Sequence, residues 1–494
     1  MQPKIYYLIF FIVALTNCSP PKTTKLPLGS SLLTAQSSKP FSLEELEHRT
    51  FNWFWELVDK NYQVPDRHPT RQFTSIAATG FGLTTYCIGA ERHYVTRNQA
   101  AERVLKTLQF LLNTPQGAAA SGVTGFHGFF YHFLDHENGF RYKDVELSTI
   151  DTGLLMAGVL SVMSYFDSNN ATEIAIRDVA EKLYRRVEWD WFQNKNRNLS
   201  MGYHPEKGFL DAQWIGYNDA MVLLIMAIGS PTHPIDASAW QRWCKPYKWD
   251  TFYGQEHVNF DPLFGHQYSQ MYIDFKGIQD SFMHAKGIDY FENSRRATLA
   301  NRAYCIANPK KYSNYSANEW GLTACDGPGD KLRNEEMKEL KNGRDTSYTI
   351  QRKFMGYSAR GAASTQIVDD GTIAPTAVAG SLPFAPEICL PTLENMWNKY
   401  YGTLVTEYGF KDAYNATFSY EPLALSNEPS HRLAQSSNGW IDKDYLGIDQ
   451  GPIIIQIENY RSQFVWKLMK KNPYIVAGLK KAGFKNGWID KVKE

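Results

Sequence analysis

From residue 42 onward the chain repeats one pattern: stretches whose apolar positions recur every three or four residues, joined by polar loops, with little period-two alternation. Ser42 with Glu45 forms a capping box ahead of Leu43, Leu46, Phe54, Trp55 and Val58, and Thr96 with Gln99 does the same ahead of Val104, Leu105, Leu108, Phe110 and Leu111. Between them residues 75–90 are small and apolar on every face, with Gly80 and Gly82, which predicts a tightly packed inner helix. Further helices are expected at 149–166, 172–187, 218–228, 236–243, 267–285, 291–307, 373–380, 387–401 and 452–471, about twelve in all. Some are apolar all round and others amphipathic, a mixture that suits an all-α double ring of six inner and six outer helices. The same string would fit other large helical arrays, but no short fixed repeat marks a regular solenoid.

The polar positions carry the chemistry. Within residues 128–160, Asp135, Glu137, Asp144, Glu146 and Asp151 are interleaved with aromatics and run into an apolar helix. Acids beside flat rings suit a sugar, because carboxyls move protons and bond hydroxyls while rings stack on pyranose faces. Two structural readings compete: Ser148 with Asp151 is also a helix cap with its third-position partner, and residues 135–139 also read as a turn.

Four more loop-to-helix junctions follow. Trp214 and Tyr217 precede Asp219 at the start of a short buried helix, where a carboxylate is either a catalytic acid or a group held by the helix dipole. Residues 262–280 offer His266, Gln267, Tyr268 and Asp274, and residues 360–387 contain Arg360 and Asp369-Asp370-Gly371. Asp449 enters another helix just before Gly451-Pro452, and Asn472-Pro473 marks its end.

Composition narrows the ligand. The 494 residues carry 52 basic and 51 acidic side chains, a net charge of +1, so neither nucleic acid nor an anionic membrane surface is called for. An aromatic share of 14% leaves rings for a stacking cleft. Residues 1–17 read as a signal peptide: Lys4 precedes an apolar run, and Leu15-Thr16-Asn17-Cys18 resembles a bacterial lipobox with Cys18 lipidated. Residues 18–40 read as a flexible tether, which leaves 41–494 as a single domain exported and held at a membrane only by the lipid. The other cysteines are scattered without metal or disulfide spacing, so buried free thiols, no metal and no cofactor are expected. No GxSxG, P-loop, HExxH or dinucleotide fingerprint is present.

Six long stretches carry a resemblance: ELSTIDTGLLMAG at 146–158, GYNDAMVLLIMAIGSPTHPI at 216–235, PLFGHQYSQMYIDFKGIQD at 262–280, DYFENSRRAT at 289–298, DDGTIAPTAVAGSLPFAPEI at 369–388 and YLGIDQGPIIIQIENYRS at 445–462. In this order they resemble the bacterial glucoamylase-like proteins of glycoside hydrolase family 144. The resemblance implies an (α/α)6 toroid that hydrolyses β-1,2-glucan, internally or by releasing sophorose, with inversion and without a cofactor. It places Asp219 where the family usually carries a Glu proposed as the acid, and Glu146, Asp151 and Asp449 on other acidic positions of the cleft. The shorter Asp219 withdraws its carboxyl by about an ångström, a displacement able to cost about 10²-fold.

An inverting pair needs one protonated and one ionised carboxyl about 6.5–9.5 Å apart. Asp219 is the acid candidate and Asp449 the base candidate, with Asp135, Glu146 and Asp151 in reserve. His132, Trp214, Tyr217, His266, Tyr268, Trp320 and Arg360 are the expected substrate contacts. A polysaccharide lyase is a weaker reading, since it needs a basic subsite and only Arg360 and Arg461 lie near these junctions. A glycan-binding surface lipoprotein without hydrolysis is a third. The expected partner is a β-linked glucan met by a monomer, and endo or exo action depends on whether loops such as residues 330–353 block one end of the cleft.

Overall fold

A helix that is apolar on every face, as residues 76–91, 149–165 and 221–229 are, must be shielded on every face, and six largely buried helices close into a ring. The computed structural model describes residues 40–341, 344–418 and 439–492. Its α-helices are α1 (Leu43–Glu56), α2 (Ile76–Glu91), α3 (Arg97–Asn113), α4 (Thr149–Tyr165), α5 (Ala171–Arg185), α6 (Met221–Gly229), α7 (Ser238–Cys244), α8 (Phe264–Tyr272), α9 (Ser281–Lys286), α10 (Tyr290–Ala307), α11 (Pro375–Ala379), α12 (Pro386–Lys399), α13 (Gly447–Ser462), α14 (Phe464–Met469) and α15 (Pro473–Ala482). Neighbouring packing runs α2, α4, α6, α8, and α13 closes the ring against α8, α11 and α2. Gln267 of α8 reaches Ala377 of α11, its Nε2 donating to the carbonyl at 2.8 Å. Amphipathic α1, α3, α5, α12 and α15 pack outside together with α10, giving an (α/α)6 toroid. Phe41–Glu494 forms one compact unit. The five cysteines it contains are free and buried.

The inner ring is tight because small residues meet at its crossings. A Cβ on Gly158 of α4 would lie 2.1 Å from the carbonyl oxygen of Gly80 in α2, and one on Gly80 would lie 2.4 Å from that of Leu154. Backbone therefore touches backbone where the sequence is poorest in side chain.

Several expected boundaries shift for local reasons. The helix expected at 267–285 breaks into α8 and α9 at Gly277, with φ of +79°, and restarts where Asp280 accepts the Met283 N–H at 2.8 Å. The helix expected at 452–471 starts earlier, at Gly447, takes Pro452 inside it, and ends at Gln463 in the left-handed region. Asn472-Pro473 starts a helix rather than ending one, since Asn472 Oδ1 caps the N–H groups of Tyr474 and Ile475 and Pro473 needs no partner in the first turn. Thr96 and Gln99 make both bonds of their capping box, whereas the Glu45 carboxylate bonds Arg49 Nε at 2.8 Å. The loop expected at 330–353 is a long antiparallel hairpin, Lys331–Lys341 against Arg344–Phe354, anchored where Phe354 meets Phe418 edge to face.

Gly158→Ala should lower the stability by about 1–3 kcal/mol, because the new methyl meets backbone that cannot rotate away. Gly117→Ala, with nothing within 4 Å of the added carbon, is the control. Urea unfolding of both variants checks this, and an unchanged midpoint for Gly158→Ala would show a looser crossing.

Candidate active site

The ring brings the starts of α2, α4, α6 and α13 together, and the acids sit there. Two of these starts share a motif, Ile150-Asp151-Thr152-Gly153 and Ile448-Asp449-Gln450-Gly451, with Asp third in the helix each time. The residue before each helix decides what the carboxylate does. In α4 that residue is Ser148, which accepts the Asp151 N–H at 3.2 Å and donates its own hydroxyl to Asp151 Oδ2. In α13 it is Leu446, which has no capping group, so Asp449 is buried with Oδ2 lacking any hydrogen-bond partner.

Asp449 is pushed up to about 7: burial dominates, Asp326 and Asp66 add to it, and a hydrogen bond from Asp412 and the charge of Arg67 oppose it. Asp412 is itself driven well above the carboxylate range by burial and by Asp449 and Asp326. Arg67 partly balances the group, its Nη1 donating to Asp326 at 2.7 Å and its Nε to Asp66 at 3.0 Å. Asp219, just ahead of α6 and 7% exposed, is pushed up to about 7 by burial with help from Asp151. Tyr268 joins the two, because its phenol stands in the field of both Asp449 and Asp219. Pro452 makes that position available. Lacking an N–H, it leaves the Ile448 carbonyl without its helical donor, and the Tyr268 hydroxyl donates to that oxygen at 3.2 Å.

A second group faces them. His132 Nδ1 lies 2.9 Å from Glu146 Oε1 and its Nε2 lies 3.6 Å from Asp151 Oδ1. Burial alone would lower the imidazole, but Asp151 and Glu146 raise it to about 9. Glu146, which burial would raise, is instead held at about 2 by His132. Glu146 is thus an ion-pair partner in the resting state, and Asp219 with Asp449 are the carboxyls poised near neutrality.

The remaining candidates divide. Trp214 stays at the mouth, its indole N–H donating to Thr149 Oγ1 at 2.7 Å. Asp135 is turned away into a turn, where its Oδ1 accepts the N–H groups of Glu137 and Asn138. Tyr217 stacks on Tyr290 inside the wall beside His266, and His266 is 1% exposed, held to the Phe260 carbonyl and kept neutral by burial, which lowers it to about 3. Trp320 and Arg360 are corrected from substrate contacts to core residues, because both are wholly buried. Trp320 Nε1 donates to Thr392, and Arg360 makes a two-pronged pair with Asp370.

Asp66, Arg67, Asp326, Asp412 and Tyr357 belong to the site and were not singled out by the sequence. Their signals, Pro65-Asp66 and Asp326-Gly327-Pro328, are ordinary turn signals. Tyr357 is 44% exposed and lies in the field of Asp449, Asp412, Asp326 and Asp66. The repeated Ile-Asp-x-Gly was the one readable sign that α4 and α13 place acids equivalently.

Comparison with known proteins gives a consistent set. Residues 211–473 match the Glycoamylase family, described as "Putative glucoamylase". The chain is 26% identical over 477 residues to the exo β-1,2-glucooligosaccharide sophorohydrolase (non-reducing end) of Parabacteroides distasonis, covering 89% of this chain but only 57% of that protein. A crystal structure described as a "putative glucoamylase" from Bacteroides uniformis superposes with TM-score 0.75 at 31% identity, over 91% of this chain and 99% of the other. The endo-β-1,2-glucanase of Chitinophaga pinensis, solved with sophorotriose and glucose, gives TM-score 0.73 at 28% identity, over 91% and 100%.

The His132 and Glu146 pair has a pH signature. His132 is raised from 6.5 to about 9, so the stability it contributes is complete below about pH 6.5 and is lost as pH rises through 9. Glu146 is lowered from 4.5 to about 2, so its contribution is complete above about pH 4.5 and is lost as pH falls through 2. Glu146→Gln should move the alkaline loss of stability down by on the order of one pH unit, read as urea midpoints between pH 5 and 10. An alkaline limb that stays in place would leave Asp151 as the sole partner of consequence.

Proposed function

Since the chain belongs to the Glycoamylase family, we propose that it hydrolyses β-1,2-glucan with inversion, Asp219 protonating the leaving oxygen and Asp449 activating water. The observation that carries this reading is the pair of buried carboxyls poised near neutrality, both acting on the Tyr268 phenol, one with an oxygen free of any partner. An acid that holds its proton to about pH 7 can give it to a poor leaving group, and a base with an unengaged oxygen can take one from water. The two relatives with named activities act on this linkage from a non-reducing end and internally. This chain is proposed to do one or the other, releasing sophorose or a spread of oligomers, which the time course of product size on linear β-1,2-glucan distinguishes. A lyase loses its support because both cations near the junctions are engaged inside the protein, Arg360 by Asp370 and Arg461 by Glu47.

In kcat/KM against pH, Asp449 should set the acid limb and Asp219 the alkaline limb, with the optimum near neutrality. Asp449→Asn should abolish turnover of every substrate. Asp219→Asn should cost about 10²–10⁴-fold on glucan, lose the alkaline limb, and keep far more activity on an activated aryl sophoroside, whose leaving group needs little protonation. Equal losses on both substrates, with an inactive Asp219→Glu, would reduce Asp219 to a structural carboxylate.

We further propose anchoring through a lipid on Cys18, which lies outside the described residues. What supports it is the sequence of residues 4–18. Among the described residues no helix is long and apolar enough to cross a membrane. Cys18→Ser should release the protein from the membrane fraction with specific activity intact.

A further inference from the structure

Beside Asp449 the toroid gathers more negative charge than it balances. Asp326, Asp412 and Asp442 come from three loops, each directly following a two-residue strand, Ala324–Cys325, Gly409–Phe410 and Trp440–Ile441. Each offers a carboxylate oxygen, and the three oxygens lie within 4.8 Å of one another. Asp412 is 1% and Asp442 6% exposed. One oxygen of each is taken by a backbone N–H, Asp412 Oδ2 by Asp326 at 2.7 Å and Asp442 Oδ1 by Asp444 at 3.2 Å. Of the remaining groups, Asp442 Oδ2 is buried and has no hydrogen-bond partner, while Asp412 also hydrogen-bonds Asp449.

An isolated ionised carboxylate in such a place is strongly unfavourable unless something offsets it, and here the protein's own cations fall short. Asp66, Asp326, Asp412, Asp442, Asp444 and Asp449 face Arg67, which is held by Asp66 and Asp326, with Lys411 near Asp442 and Asp444 and Lys443 4.0 Å from Asp444.

We propose that Asp326, Asp412 and Asp442 hold a hard divalent cation of the calcium class, tying three loops together at the edge of the site. The ligands are all carboxylate oxygens, which select calcium or magnesium over softer metals. Loops rather than a rigid element supply the ligands, which suits calcium's tolerance of irregular geometry. The sequence alone led to the opposite expectation, because the three ligands share no local spacing and only the fold joins them.

The test uses the full chain after chelator treatment, titrated with CaCl2 in a calorimeter and followed by thermal unfolding, so it does not depend on the glycosidase reading. One calcium per chain and a rise in Tm of a few degrees are expected, by preferential binding to the folded state. Asp442→Asn should lose both effects. Asp135→Asn, whose carboxylate is outside the cluster and serves a separate turn, should keep both. Absence of heat and of any Tm shift in the parent protein would overturn the proposal and leave shared protons to balance the cluster, whatever Asp442→Asn does. Calcium binding that survives in a folded Asp442→Asn would overturn it equally.

Discussion

Desolvation is the constraint on which the site depends. Inner helices α2, α4 and α6 are apolar on every face, so they can only be buried, and burying them in one ring with α13 carries the carboxyl groups at the helix starts out of water too. A carboxylate in that position must find a partner or give up its charge. Glu146 finds His132 and is held at about 2, whereas Asp219 and Asp449 find no cation sufficient to offset burial and rise to about 7. One physical term thus sorts the acids into supports and reagents.

The sorting is executed by single residues next to the acids. Ser148 against Leu446 ahead of otherwise matching helix starts makes one Asp a capped residue and leaves the other with an unengaged oxygen. Pro452 acts at one further remove, since removing a helical N–H turns the Ile448 carbonyl into the acceptor that holds Tyr268 beside Asp449. Gly80 and Gly158 act at the greatest distance, letting α2 and α4 pack backbone against backbone in the ring that carries the site.

The same accounting explains what is excluded from the cleft. Arg360 and Trp320 carry groups useful for sugar binding, but each is satisfied inside the protein, by Asp370 and by Thr392. An exposed ring such as Tyr357, in reach of the acids, is better placed to meet a substrate than a buried one.

What the sequence determined by itself was the periodic part. Helices α1 to α5 and α10 to α12 follow from apolar spacing and caps, and the motif Ile-Asp-x-Gly marks Asp151 and Asp449, because these signals lie within a few residues of each other. Boundaries at Gln463 and Asn472-Pro473 were misread because the same local residues serve a stop or a start. Only the tertiary structure decided which acids are charged. Asp66, Asp326, Asp412 and Asp442 stand in separate loops that look like turns, and their effect on Asp449 exists only once the ring brings them together in a medium too dry to screen them.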